Sequence, residues 1–137
     1  MSNIDNIEQF KNKIISGDLF PKHLGIEFLE IKPGYASVSL EIKEHMVNFH
    51  GITHGGIVLT LADTALGIAS NSYGRPAVAL NFSMNFIKKT VPGQTITATA
   101  EEINRTYRTA LYRVTVRDES GEQIAVVDGL VYVKDKK

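Results

Sequence analysis

Cysteine is absent from the 137 residues. Disulfides, thiolate zinc sites and cysteine nucleophiles are therefore excluded, and a cysteine-free chain fits a cytoplasmic location. Net charge is absent as well, because 15 Lys and Arg offset 15 Asp and Glu. A general nucleic-acid binder needs a basic excess, so no nucleic-acid partner is expected. The same neutrality does little to oppose self-association. No apolar run approaches the ~20 residues that a membrane span requires. The polar, amphipathic opening "MSNIDNIEQFKNKIISGDLF" does not have the make-up of a secretory leader. There is no internal repeat, linker or low-complexity stretch, and the expectation is one soluble domain over residues 1–137.

Catalytic motifs are lacking too. The sequence holds no G-x-S-x-G elbow, P-loop, dinucleotide fingerprint or H-E-x-x-H helix. His50 and His54 stand four apart, but no third ligand follows at a recognisable spacing, so neither a metal nor another cofactor is expected.

What remains is a clear order of elements. Ile4, Ile7, Phe10, Ile14 and Ile15 recur at helical spacing and predict an amphipathic helix ending near Gly17. "HLGIEFLEIKPGYASVSLEIK" reads as two strands about a Pro33-Gly34 turn, the second half-buried by alternation. Residues 44–53 read as a loop, and residues 55–72 as a long apolar helix stopped at "NSYGRP". In "AVALNFSMNF", Val78, Leu80, Phe82, Met84 and Phe86 are expected on one face, with Ala77, Ala79, Asn81, Ser83 and Asn85 on the other. "TITATAEEI", "TALYRVTVRD" and "QIAVVDGLVYV" complete four successive strands. The implied class is α+β, a curved antiparallel sheet wrapped around the long helix, with an N-terminal helix beside it.

The long helix carries an anomaly. Gly56, Thr60, Asp63, Gly67 and Ser70 are spaced four, three, four and three apart and form one small or polar stripe on an otherwise apolar helix. Asp is a poor mid-helix residue and costly to bury. An acid in a partly apolar setting has a raised pKa, which suits general-base work. Just upstream, "THGGI" sets His54, Gly55 and Gly56 at the helix start, where free N–H groups can hold a developing oxyanion. Asn48 can add an amide donor. Each feature also has a plain reading: a capped or solvated acid, a tight loop-to-helix turn, an Asx-turn.

Asn48, then His54-Gly55-Gly56, then Leu61-Ala62-Asp63-Thr64 resemble the signature of the hotdog-fold acyl-CoA thioesterases of the phenylacetate-degradation type. The likeness extends over nearly the whole chain. It implies a hotdog fold, an acyl-CoA substrate, a homodimer with shared active sites and a homotetramer built from such dimers. It also implies roles: Asp63 as base or nucleophile, Gly55 N–H on the thioester carbonyl, Asn48 on water or substrate, His54 at the thioester end, and Gly56 and Thr64 beside them. Some relatives place a Ser or Thr on the strand after the helix. Ala79 stands there in this chain, with Thr64 and Ser83 as possible substitutes. Coenzyme A carries phosphates, for which Lys88, Lys89, Arg105 and Arg108 are the basic candidates, their plainer reading being solvated charge. A hotdog hydratase or dehydratase, a non-catalytic acyl-CoA-binding protein and an oligomeric scaffold are the competing readings.

Overall fold

In the computed structural model, residues 3–135 are described. Two helices open the chain, α1 (Asn3–Gly17) and α2 (Leu19–Leu24). Strands β1 (Glu27–Lys32) and β2 (Tyr35–Glu41) follow, then the long helix α3 (Gly55–Asn71), then β3 (Ala77–Phe86), β4 (Thr95–Arg105), β5 (Thr109–Arg117) and β6 (Gln123–Val133). The six strands form one curved antiparallel sheet in the order β1-β2-β4-β5-β6-β3. The expected order of elements holds, with two additions: α2, and a single 3-10 turn at Glu44–Met46 inside the expected loop. Helix α2 spans only 6 residues, too few to display a period, and it ends on Gly25 at φ 87°. That positive φ closes a left-handed cap that a side chain would strain.

Helix α3 lies on the concave face. Leu61, Ala62, Ala65, Leu66, Ile68 and Ala69 are all at most 2% exposed, and they meet inward residues such as Val38, Ile96, Tyr112 and Val127. One contact is unusually close: a Cβ added at Gly129 on β6 would lie 2.7 Å from Leu66 Cδ2. Glycine is required there by the approach of the helix, since Leu66 is 1% exposed and has nowhere to go. Gly129→Ala is expected to lower stability by about 1–3 kcal/mol through overpacking, read as a lower urea midpoint with an unchanged m-value.

Two strand expectations need correction. In β2 the outward Ser37 and Ser39 are buried as well, each 8% exposed. Their short side chains lie between Glu27 and Glu30 of β1 and Thr97 and Thr99 of β4, which stand taller on either side. In β3 the strict alternation fails. Ala79 pairs with Val131 and Asn81 with Leu130, so Leu80 is an extra residue, a bulge. Ala77 and Ala79 therefore share the helix-facing side with Phe82, Met84 and Phe86, while Val78 pairs with exposed Tyr132. Strand β3 is also an edge of the sheet, and Val78, Leu80 and Phe86 are 45%, 59% and 60% exposed.

Candidate active site

The polar stripe of α3 emerges at the surface for most of its length. Gly56, Asp63 and Gly67 are exposed and Thr60 is partly so, whereas Ser70 turns inward at 1% exposure. Asp63 stands between two grooves. One, of about 530 Å³, runs under α1 and α2 and is lined by Phe10, Ile14, Asp18, Phe20 and Thr64. The other, of about 590 Å³, lies toward β3 and is lined by Leu59, Thr60, Ala79, Phe82, Met84 and Phe86. No described residue donates a hydrogen bond to the Asp63 carboxylate, so it serves as no cap or structural ion pair. The protein around it removes enough water to raise its pKa above the ordinary carboxylate value, and the nearby charge of Asp18 raises it further.

A third groove, of about 320 Å³, opens at the N-terminus of α3 and holds Asn48, Gly55, Phe86, Lys88 and Lys89. His54 is the N-cap of α3, and its Nδ1 accepts the Gly56 N–H at 3.1 Å. With Nδ1 accepting, the other ring nitrogen, Nε2, is the one that can donate. The Gly56 amide is thus spent on the cap, and the Gly55 N–H is the first-turn donor without an acceptor among the described residues. Gly55 has another reason to be glycine: an added Cβ would meet the Phe86 ring at 3.1 Å.

Asn48 Oδ1 accepts the His50 N–H at 2.9 Å, which is the Asx-turn of the plain reading. The turn uses only the oxygen, so both Nδ2 hydrogens remain for a ligand. The His50 ring packs on Phe49, with ring centres 4.1 Å apart. Among the described residues no three His, Asp or Glu side chains gather as metal ligands.

The hydroxyl positions are equally specific. Ala79 lines the groove with Asp63 and brings no hydroxyl. Ser83 pairs with Asp128 on the opposite, outward face, beside the Arg113–Asp128 ion pair. Thr64 donates to the Thr60 carbonyl at 2.7 Å, and Thr60 donates to Gly56 at 2.8 Å. Of these, Thr60 lies in both grooves beside Asp63, although spacing alone marks it only as part of the stripe.

The four basic candidates do not converge within the chain. Lys88 and Lys89 adjoin the start of α3, but Arg105 and Arg108 lie at the β4–β5 turn, the opposite end of the sheet. Arg105 bonds Glu102 at 3.3 Å and stacks 4.0 Å from the Tyr73 ring centre. Arg108 bonds Asp135 and stacks on Tyr107. Lys88 is held by Asp118 and Glu122, and Asp118, accepting from Ser120 and Lys88, has its pKa lowered to about 2. Lys89 alone of the four has no partner among the described residues.

The fold and this site find close counterparts. The sequence model of the thioesterase superfamily matches residues 50–125. A protein described as a putative esterase from Archaeoglobus fulgidus is 35% identical over 126 residues, covering 92% of this chain and 82% of its own. The acyl-coenzyme A thioesterase PaaI of Escherichia coli is 31% identical over 88% of this chain and 86% of its own. The solved structure of the E. coli PaaI protein from the phenylacetic acid degradation operon superposes with a TM-score of 0.94 at 29% identity, covering 99% of both chains. The smu.793 protein of Streptococcus mutans, solved bound to acetyl CoA, is 27% identical with a TM-score of 0.78 over 82% of this chain and 90% of its own. The chain belongs to the hotdog-fold thioesterase superfamily, in its PaaI-like branch. It is a thioester hydrolase.

Proposed function

We propose that the chain hydrolyses acyl-CoA thioesters, aryl acyl groups included, to the carboxylic acid and free CoA, in a site shared between two copies. The observation that carries this reading is the separation of two unpartnered groups on one helix. The Gly55 N–H and the Asp63 carboxylate are 8 residues apart in α3, which at 1.5 Å per residue is about 12 Å. A carbonyl under attack needs its oxyanion donor and its base each about 3 Å away. One chain does not bring both to the same carbon, whereas a second copy packed with its helix antiparallel would.

The exposed edge β3 supports such a pairing, because a long apolar edge strand is a template for another strand. Phe49, next to Asn48, is 93% exposed and would be covered by the same partner. In this arrangement Asp63 of one subunit activates water or attacks the carbonyl itself. The partner's Gly55 N–H takes the oxyanion, the Asn48 amide holds the water or substrate, His54 lies at the thioester end, and Gly56 and Thr64 line the approach. A pair of such dimers makes a homotetramer. The acetyl-CoA in the S. mutans relative and the substrate named for E. coli PaaI both favour a CoA thioester.

The test is thiol release across aryl-, short- and long-chain acyl-CoAs, with mass determination in solution. Turnover of at least one substrate by a dimer or tetramer is expected. An active monomer would rule out the shared site.

Lys89 is the cation available to the CoA phosphates. Lys89→Ala is expected to raise KM for an acyl-CoA up to about five-fold, as a contact of about 1 kcal/mol implies. Salt should raise KM in the parent over the ionic strengths that screen across about 8–10 Å. A pantetheine thioester lacking the nucleotide should respond to neither change. Equal responses of both substrates would remove Lys89 from the site.

A further inference from the structure

The groove beneath α1 and α2 contains a second acid. Asp18 occupies the N-cap position of α2, where an Asp ordinarily accepts a backbone N–H of the first turn. Here it makes no cap bond, at φ −88° and ψ 86°. It has no ion pair or hydrogen bond from any described side chain either. Its carboxylate instead lines the same 530 Å³ groove as Asp63.

We propose that Asp18 is a positioning residue for hydrolysis, acting across the groove on Asp63 so that Asp63 is the stronger base toward water. The proposal rests on the reading of Asp63 as the catalytic carboxylate. It goes further by giving the N-terminal segment, outside the shared helix motif, a part in the chemistry.

The charges around the pair are few. Among the described residues, Lys13 on α1 is the one cation lining the groove, α3 contributes no charged group there besides Asp63, and the β3 side contributes none. Within one chain Asp63 is therefore exposed to the Asp18 charge with only Lys13 in the groove to offset it, and the titratable group that the shared site would add is His54 of the second copy. Both carboxyls have raised pKa values, Asp18 through desolvation and Asp63 through desolvation and then Asp18. Two like charges in one partly dry groove titrate as a coupled pair, and a more basic carboxylate is the better general base near neutral pH.

The experiment is the pH profile of kcat/KM for the parent, Asp18→Asn and Asp18→Glu, at low and moderate salt, on whichever acyl-CoA the parent turns over best. Activity needs ionised Asp63, so the acid limb follows the pair. Asp18→Asn removes the repelling charge, and its limb is expected to move to lower pH with a lower plateau. Asp18→Glu is expected to keep the limb near the parental position. Added salt should shift the parental limb in the same direction and leave that of Asp18→Asn in place. A uniform loss of activity without movement of the limb would mean that Asp18 is merely structural and would overturn the inference, with the thioesterase reading intact. A parent inactive on every acyl-CoA tested would overturn both readings.

Discussion

Asp63→Ala is expected to lose turnover by about 10²–10⁴-fold while folding normally. Asp63 is exposed along the α3 stripe, unpaired, and flanked by two grooves, so nothing in the fold depends on its carboxylate. The sign of its effect on stability follows from the direction of its pKa shift. Its folded-state pKa lies above the unfolded value, so the folded state binds the proton more tightly. Stability from this group is greatest at low pH and declines as pH rises through the interval between the two values. At neutral pH the ionised carboxylate is a net cost, which alanine removes. The variant should therefore unfold at a urea concentration equal to or above that of the parent. Thiol release near the parental rate would refute the assigned mechanism, and a fall in the midpoint would show a structural role for the acid.

The second large effect is a gain. Asp63→Ala and Asn48→Ala chains, each purified alone, should be nearly inactive, since loss of a positioned amide donor costs about 10²–10³ in kcat. When unfolded and refolded together in equal amounts, random two-fold pairing gives about half heterodimers. If Asp63 of one chain works with Asn48 of the other, each heterodimer holds one doubly damaged site and one intact site. About a quarter of all sites then recover, an increase of at least an order of magnitude over either parent. Mass spectrometry verifies that chains have exchanged. A mixture that has exchanged chains and stays inactive would assign each site to a single chain, despite the helix span that separates Gly55 from Asp63.

The long elements were legible because their periods ran uninterrupted. The stripe Gly56, Thr60, Asp63 and Gly67 was readable from spacing alone, since α3 is a regular helix over 17 residues. The hairpin strands β4, β5 and β6 were equally clear in alternation. What escaped was set by neighbours in space. The Leu80 bulge is imposed by register against Leu130 and Val131 of β6, about 50 residues away in the chain, which local alternation does not encode. Helix α2 was too short to show a period.

Asp18 carried no signal of its relation to Asp63, because only the packing of α1 and α2 over α3 brings both into one groove. Charge and turn position alone group Arg105 and Arg108 with Lys88 and Lys89. An antiparallel meander sends alternate turns to opposite ends, and these pairs fell on different ends. The Asn48 side chain showed both of its readings at once, its oxygen closing the Asx-turn and its amide hydrogens left over.

The bulge at Leu80 also writes a parity rule into β3. Before it, odd-numbered residues look toward the helix; after it, even-numbered ones do. Ala79 and Phe82 are thus successive neighbours on one wall although three positions separate them. Ala79 brings no hydroxyl to the groove beside Asp63, whereas Ser83, which has one, is on the wrong side by a single count. Drawing Leu80 into the ladder as an ordinary paired residue would force one half of the wall to turn its back on α3, either Ala77 and Ala79 or Phe82, Met84 and Phe86. The edge strand is in this sense a coded surface, and its code has one shifted letter.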